Sequence, residues 1–455
     1  MAENVQPRDH FATKIGIVAA AAGSAIGLGN IWKFPYITGV YGGGAFLIVY
    51  LICITVIGLP VMLSEFTIGR RADKAAIGAF KKLAPETPWF LTGWMGVVSA
   101  FSILSFYSVV AGWTLDYIVK CALNAFAGRT PDEVGSMFGG LISATARPLF
   151  WHVIFMAICA LIIMGGVKQG IERYSKILMP LLLILIIILD IRALTLPGAM
   201  KGLDFLFKPD FSKFSAEGIL VALGHAFFSL SLGMGTMITY GSYIEKKENL
   251  GTTTLQVSIA DTVIALLAGI AIFPAVFAFG IEPSAGPGLV FVTLPNVFQQ
   301  MPGGYIFAIL FFVLLEVAAL TSAISILEVV VAYFVEELNM TRHFATIISA
   351  IAIGIVGVFA SLSMGPLSSF SVPLFNRNIF DSLDFLSANI LLPLGGMFIC
   401  AFVGWYLKYK NAYDEISNNG KLQAGYMPLY MFLAKFLAPI AIALVFLNGL
   451  GILKF

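Results

Sequence analysis

Five polar side chains with oxygen atoms lie within otherwise apolar segments of the chain, where such atoms could bind a small cation. They are Asn30, Ser229, Asp261, Thr321 and Ser322. Hard cations such as sodium, calcium and magnesium prefer oxygen ligands. A broken helix would add main-chain carbonyls, and the candidates are those of Gly23, Ala25 and Ile26. These residue types therefore favour a site for a hard cation.

Each of these residues also has an ordinary structural interpretation. A serine or threonine in a membrane helix most often donates its hydroxyl to a carbonyl of its own helix. Asn30 is more costly to bury than a hydroxyl, and this favours a function. Asp261 favours one more strongly, because a carboxylate within a membrane segment indicates a functional site by default.

Two of the segments that contain these residues are interrupted by glycine. The first, from Gly23 to Pro35, reads Gly-Ser-Ala-Ile-Gly-Leu-Gly-Asn-Ile-Trp-Lys-Phe-Pro, and the second, from Phe227 to Thr236, reads Phe-Phe-Ser-Leu-Ser-Leu-Gly-Met-Gly-Thr. Glycine disfavours a helix interior by roughly 0.5–1 kcal/mol relative to alanine, and proline removes a backbone donor. In lipid, the freed N–H and C=O groups need other partners. Two broken helices therefore predict an ion or substrate site of the kind that secondary transporters use.

Composition places the chain in a membrane. It has 455 residues, of which 59% are hydrophobic and 11% are charged, whereas a soluble globular protein has about 25% charged residues. The net charge of +2 gives no reason to expect nucleic-acid binding. The four cysteines have no paired spacing, so they predict neither disulfides nor a zinc site.

A membrane-spanning helix needs about 20 mostly apolar residues. Eleven segments are predicted to span, near residues 14–38, 43–69, 90–124, 148–166, 174–194, 215–241, 254–281, 305–335, 343–362, 384–407 and 427–451. The interrupted segments are the first and the sixth, and this spacing of five spans predicts an inverted repeat. The expected fold is an all-α polytopic membrane protein with eleven transmembrane helices, a 5+5 inverted repeat and discontinuous first and sixth helices.

Lysine and arginine set the expected orientation, because they favour cytoplasmic loops. They are concentrated in the N-terminal segment and after odd-numbered spans, so the N-terminus is expected in the cytoplasm and the C-terminus outside the cell membrane. The expected divisions are a cytoplasmic segment 1–13, a first repeat 14–194, an extracellular loop 195–214, a second repeat 215–407, a cytoplasmic loop 408–426, and span eleven with an extracellular C-terminus 427–455. Residues 282–303 predict a re-entrant or surface-lying segment, and residues 363–380 predict a structured outer loop.

Three motifs resemble those of the neurotransmitter:sodium symporter family. They are the first-span motif up to Tyr36 followed by Gly42-Gly43-Gly44-Ala45-Phe46, the sixth-span motif, and Ala318-Ala319-Leu320-Thr321-Ser322 in the eighth span. The resemblance covers spans one to eleven and is greatest to bacterial hydrophobic amino-acid transporters of the eleven-span, leucine-transporter-like kind. It implies a sodium-coupled symporter with alternating access, not an enzyme, and no organic cofactor.

The resemblance also implies two sodium sites. One would use the Ala25 carbonyl, Asn30, Ser229, Asp261 and the substrate carboxylate. The other would use the carbonyls of Gly23, Ile26 and Ala318 and the hydroxyls of Thr321 and Ser322. Asp261 departs from the family, in which asparagine is common at this position.

Chloride-dependent members hold chloride with a tyrosine, a glutamine and two serines. Tyr50 and Ser231 or Ser229 match here, but His225 replaces the glutamine and Ala265 replaces the second serine. The carboxylate of Asp261 could supply the missing negative charge, so we expect chloride-independent transport.

The substrate is expected to bring its own carboxylate. A half-helix N-terminus has free N–H groups and a partial positive charge, and Gly27 stands where amine-carrying relatives have an aspartate. By the resemblance, the substrate-binding residues are Ala25, Gly27, Leu28, Gly29, Ile103, Tyr107, Phe228, Ser229, Ser231, Met234, Ser322 and Ile326. Tyr107 would donate to the carboxylate, although a packed aromatic side chain is the alternative.

The side chain of the substrate would face Ile103, Phe228, Met234 and Ile326. Burying a charged group among them would cost several kcal/mol. Methionine adapts to irregular shapes, and Met234 lies between two glycines, so bulky side chains are expected to fit. The expected substrates are hydrophobic L-amino acids of the Trp, Tyr, Phe, Leu, Ile, Val and Met class, carried across the lipid bilayer.

Gates and a hinge are implied by the same resemblance. Lys33 and Asp384 match the outer gate, and a lysine gives a weaker or water-mediated contact than the usual arginine. The inner gate would pair Arg8 with Glu336 near Tyr243. Gly170 and Pro180 would let the inner end of the fifth span unwind. The alternatives are a solvated positive-inside arginine and a static proline kink.

Other functions remain possible from the residues alone. Broken helices with hydroxyls also line channels, but the sequence has no ring of charges and no carbonyl-filter repeat. An intramembrane enzyme would need a catalytic motif on a span, and the four histidines are scattered. A scaffold would not explain two helix breaks with matching polar residues.

Overall fold

The computed structural model describes residues 9–280 and 288–453. Within these residues, nine uninterrupted helices are long and apolar enough to cross a membrane. They are Gly44–Ala72, Phe90–Ala122, Ala146–Met164, Val167–Leu194, Leu250–Ala278, Gly304–Glu337, Arg342–Leu362, Ile379–Ile416 and Met427–Gly449. They correspond to the second to fifth and the seventh to eleventh predicted spans.

The first and sixth spans are broken, as the glycine pattern predicts. The first consists of Lys14–Ala25 and Gly29–Val40, which are bent by 48°. The sixth consists of Ala216–Ser229 and Thr236–Gly241. With these two, the structure contains helices at all eleven predicted positions, and the fold is all-α.

Local backbone conformation explains where the breaks lie. At Ile26 the chain turns to an extended conformation with ψ 103°, and helix resumes at Gly29 as a π-helical turn. In the sixth span, Ser231, Gly233 and Gly235 have φ values of 54°, 77° and 76°. This left-handed region costs glycine nothing but penalises a residue with a Cβ. Residues 20–31 and 229–241 are all buried, so both breaks lie inside the helix bundle.

Several boundaries differ from those predicted. The fifth span begins at Val167, because Val167–Glu172 extend it as a π-helical turn. The tenth continues to Ile416, because the polar helix Lys408–Ile416 follows it directly. Residues 289–300 form buried helical turns in the segment predicted to be re-entrant or surface-lying, and its residues 282–287 lie outside the described part. The loops contain the helices Ala76–Leu83, Pro131–Ser143 and Ala199–Phe207.

The third and eighth spans, Phe90–Ala122 and Gly304–Glu337, have 33 and 34 residues. They pack against each other over much of their length. Both exceed the bilayer minimum, so they tilt or protrude. The first span packs on the eighth, which places the first break beside Thr321 and Ser322.

A cluster of charged side chains joins three elements at the end of the bundle that is predicted to face the cytoplasm. The Arg70 side chain in the second span is 1% exposed, and its Nε lies 2.7 Å from Oε1 of Glu415. It also donates to the carbonyl of Glu248 at 2.6 Å. Lys246 contacts both carboxylate oxygens of Glu415 at 2.7 Å.

We predict that Glu415→Gln destabilises the protein, because it leaves the buried Arg70 guanidinium without its counter-charge. Removing one partner of a buried ion pair costs about 3–5 kcal/mol. The expected result is a thermal unfolding midpoint in detergent several degrees below that of the wild type. Asp204→Asn is the control, since the Asp204 to Lys208 pair is exposed and such pairs contribute about 0–1 kcal/mol. Equal midpoints for the two variants would contradict the prediction.

Candidate ion and substrate site

A cavity lies between the two helix breaks. It is lined by Ala25, Gly27, Leu28, Gly29, Ile103, Tyr107, Phe228, Ser231, Met234, Ser322 and Ile326. Eleven of the twelve residues predicted to contact the substrate therefore surround one space. The twelfth, Ser229, instead donates to Asp261 beside the cavity.

One end of the cavity is polar. The Tyr107 hydroxyl accepts the N–H of Leu28 at 3.1 Å, and the Ser231 hydroxyl donates to the carbonyl of Ser24 at 2.8 Å. A Cβ at Gly27 would lie 2.9 Å from the Tyr107 oxygen and 3.0 Å from the Cβ of Ser322. Any side chain at position 27 would therefore fill this end of the cavity.

The rest of the cavity is apolar and is formed by Ile103, Phe228, Met234 and Ile326. The ammonium of Lys33 lies 4.6 Å from the centroid of the Phe228 ring, a cation–π contact. The cavity thus combines a polar end with an apolar chamber, which suits a molecule that has one charged end and one apolar end.

The first predicted ion site is a connected polar cluster in which Asp261 is completely buried. Its carboxylate accepts from Asn30 at 2.7 Å, from Ser229 at 2.9 Å and from Tyr50 at 3.4 Å. The Asn30 side-chain oxygen accepts the N–H of Gly27 at 3.1 Å. A buried carboxylate needs a counter-charge, and the oxygen-rich donor set fits a hard cation.

The second predicted ion site brings together oxygens from two elements. The Thr321 hydroxyl lies 3.1 Å from the carbonyl of Ala318 and 3.5 Å from the carbonyl of Ile26. A Cβ at Gly23 would lie 3.3 Å from the Cβ of Thr321. Three main-chain positions and a hydroxyl therefore meet where the first break packs on the eighth span.

The same hydroxyl also shows the ordinary pattern for a helical threonine, because it lies 3.1 Å from the carbonyl of Val317 in its own helix. Both interpretations of Thr321 consequently agree with the geometry. The histidine, cysteine and carboxylate side chains of the described residues form no group of three that could hold a metal ion.

Sequence reasoning missed a residue that supports the second break. Glu65 is fully buried in the second span, and its Oε1 accepts the N–H of Gly233 at 2.7 Å. A Cβ at Gly233 would lie 2.4 Å from the carbonyl of Leu392, so only glycine allows this close approach to the tenth span. The rule that singles out Asp261, a carboxylate inside an apolar segment, would also have found Glu65.

The predicted inner gate is only partly described. Arg8 lies outside the described residues, and Glu336 accepts the N–H of Ala75 at 2.9 Å. The Tyr243 hydroxyl donates to Glu328 at 2.7 Å, and Glu328 is paired with Arg342 at 2.5 Å. The pair between the buried Glu328 and the partly exposed Arg342 is a feature that sequence reasoning missed, although Glu328 is another carboxylate within a span.

The predicted outer gate and hinge also have defined positions. Lys33 is in the second half of the first span and Asp384 in the helix Ile379–Phe385, and their pairing stays a prediction. Gly170 lies within the π-helical turn Val167–Glu172, and Pro180 lies within the continuous helix that follows it. Both segments are helical in this structure, so the predicted unwinding between Gly170 and Pro180 would break helical turns that are present here.

The chain matches known proteins over nearly its whole length. The profile of the sodium:neurotransmitter symporter family matches residues 8–130 and 143–454. The sodium-dependent transporter YhdH of Bacillus subtilis is 44% identical over 445 residues, which cover 98% of each protein. The sodium- and chloride-dependent GABA transporter ine of Drosophila melanogaster is 30% identical over 377 residues, which cover 72% of this chain and 39% of that protein.

A solved structure agrees with the fold. The crystal structure of MhsT in complex with L-phenylalanine superposes on this chain with a TM-score of 0.90 at 48% sequence identity. The match covers 97% of this chain and 100% of the MhsT chain.

We predict that Thr321→Val reduces the thermal stabilisation of the protein by sodium, because a lost ligand oxygen weakens binding and bound ligand stabilises the folded state. The expected shift in the half-saturating sodium concentration is about tenfold. Thr346→Val is the matched control, since Thr346 is also buried and donates to a carbonyl four residues earlier, that of Arg342, at 2.8 Å. Equal sodium responses of the two variants would favour a purely structural role for Thr321.

Proposed function

This chain belongs to the sodium:neurotransmitter symporter family, and we propose that it is a sodium-coupled importer of hydrophobic and aromatic L-amino acids. Membership makes it a sodium-dependent transporter of the membrane rather than an enzyme. The observation that carries the substrate proposal is the cavity between the helix breaks, polar at one end and apolar elsewhere. The bound L-phenylalanine of MhsT, a neighbour with the same fold, supports this class of substrate.

The α-carboxylate would bind at the polar end, where the first break exposes main-chain groups and Tyr107 provides a hydroxyl. Gly27 leaves room for it. The apolar side chain would then lie among Ile103, Phe228, Met234 and Ile326. A charged substrate side chain would lose its hydration there without gaining a partner, so acidic and basic amino acids are excluded.

Two sodium ions would bind beside the substrate. The Asp261 cluster would hold one of them together with the Ala25 carbonyl and the substrate carboxylate, so that ion and substrate bind cooperatively. The other would bind to Thr321, Ser322 and the carbonyls of Gly23, Ile26 and Ala318. Because both sites use main chain from the first break, a movement of that span would change both at once.

Chloride would not be required. Asp261 already places a negative charge within hydrogen-bond distance of Tyr50 and Ser229, two residues at the positions that resemble the chloride site of other members. The remaining positions carry His225 and Ala265, neither of which restores the usual ligand set.

Alternating access would follow from the gates and the hinge. We propose a cytoplasmic N-terminus and an extracellular C-terminus in the cell membrane. Lys33 and Asp384 would close the outer side, and Arg8, Glu336 and Tyr243 would close the inner side. Unwinding between Gly170 and Pro180 would open a water path to the second sodium site.

Uptake into proteoliposomes tests the transport proposal. Radiolabelled L-phenylalanine should accumulate with an inward sodium gradient and not with potassium in its place, and uptake should saturate, unlike flow through a channel. Leucine and tryptophan should compete, whereas aspartate and lysine should not. Tyr107→Phe should reduce apparent substrate affinity about tenfold, while Tyr305→Phe, remote from the cavity and half-exposed, should change it less than twofold. Uptake that is indifferent to sodium would contradict the proposal.

Anion replacement tests the role of Asp261. Exchange of chloride for gluconate should leave wild-type uptake unchanged. Asp261→Asn keeps the shape of the side chain but removes its charge, and cation affinity depends on ligand charge. We expect its half-saturating sodium concentration to rise at least about tenfold, with Asp204→Asn as an exposed control. A reproducible loss of wild-type uptake in gluconate would reject chloride independence.

A further inference from the structure

The inner half of the first span packs against the fifth span, and one carboxylate of the fifth span bonds to its start. Glu172 is 2% exposed. Its Oε2 accepts the N–H of Ala12 at 2.7 Å, and its Oε1 accepts the hydroxyl of Thr13 at 2.8 Å. These two donors lie at the start of helix Lys14–Ala25, and Thr13 is its N-cap, accepting the N–H of Gly16 at 3.0 Å.

The attachment is close-fitting. A Cβ at Gly16 would lie 2.2 Å from Oε1 of Glu172, so glycine at this position allows the carboxylate to lie against the helix. A negative charge near a helix N-terminus is favourable, and hydrogen bonds to an ionised acceptor are about twice as strong as neutral ones. The third partner, Lys176, belongs to the same span as Glu172 and lies 2.8 Å away.

The position of Glu172 in the fifth span connects this contact with the proposed hinge. It is the last residue of the π-helical turn Val167–Glu172 and lies between Gly170 and Pro180. The element that is proposed to unwind therefore carries the carboxylate that holds the first span. Helix Lys14–Ala25 in turn carries Gly23 and is followed directly by Ile26, whose carbonyls are proposed ligands of the second sodium ion.

We propose that Glu172 is a positioning residue that holds the inner half of the first span closed, and that unwinding of the fifth span withdraws it and so couples inner opening to sodium release. This inference rests on the proposed function and deepens it. If the attachment is lost, the sodium-competent closed state becomes less populated, and apparent sodium affinity falls by the same fraction.

The test uses four variants of the full chain. Glu172→Gln removes the charge, and Thr13→Val removes one donor and keeps the volume. Thr13→Ser retains the hydroxyl and should restore wild-type behaviour. Lys176→Gln removes the partner on the fifth span and leaves the contacts to the first span intact. Its ion pair is one-third exposed on the lysine side, and such pairs contribute little.

Hydrogen–deuterium exchange in sodium provides a readout that does not depend on transport. In Glu172→Gln we expect exchange in residues 11–25 to be about tenfold faster than in the wild type, with a smaller effect in Thr13→Val. Residues 29–40, the outer half of the same span, and the helix Pro131–Ser143 should remain unchanged. Lys176→Gln should stay within about twofold of the wild type.

Sodium titration of thermal stability gives the second readout. The half-saturating sodium concentration should rise about tenfold in Glu172→Gln and be restored to the wild-type value in Thr13→Ser. The proposal would be overturned if residues 11–25 exchanged at the wild-type rate in both Glu172→Gln and Thr13→Val. It would also be overturned by equal acceleration in residues 29–40, which would indicate general loosening, or by an unchanged sodium response. If Glu172→Gln does not fold, Thr13→Val carries the test.

The two proposals fail in different ways. Lack of sodium-driven uptake by the wild type would contradict the proposed function, whereas the exchange experiment would still show whether Glu172 holds the first span.

Discussion

Within lipid, every backbone N–H and C=O group must find a partner in the protein, and this constraint governs the structure around the two helix breaks. The first break is satisfied by side chains from two elements: the Asn30 oxygen accepts from Gly27, and the Tyr107 hydroxyl accepts from Leu28. In the second break, Glu65 accepts from Gly233. The carbonyls left over are the groups from which the proposed sodium sites are built.

The same constraint explains why the polar residues lie in clusters. Asp261 is fully buried, yet Asn30, Ser229 and Tyr50 all contact its carboxylate. An isolated charge at this depth would cost far more than the chain could compensate. A cation bound there would balance the charge. In our proposal, the attraction between the cation and the Asp261 carboxylate therefore both stabilises the site and binds sodium.

Charged side chains outside this centre have a different role, because they join one helical element to another. Arg70 and Glu415 join the second span to the tenth, and Glu328 and Arg342 join the eighth span to the ninth. Glu172 joins the fifth span to the start of the first. Each of these contacts is made by a side chain that reaches from one span to another, so each can be broken without unfolding a helix.

The amino-acid sequence by itself determined the membrane class, the positions of eleven spans and the two breaks. Hydropathy and the disruption of a helix by glycine both depend on a few neighbouring residues. With the family resemblance it also determined which residues line the cavity. Only the tertiary structure decided that Ser229, which was predicted for both the sodium and the substrate site, bonds to Asp261 and does not line the cavity, that Glu65 supports Gly233, and that Glu172 reaches Ala12. These contacts join residues between 32 and 168 positions apart. Such pairings depend on how whole helices pack, and no local pattern of residue types contains that information.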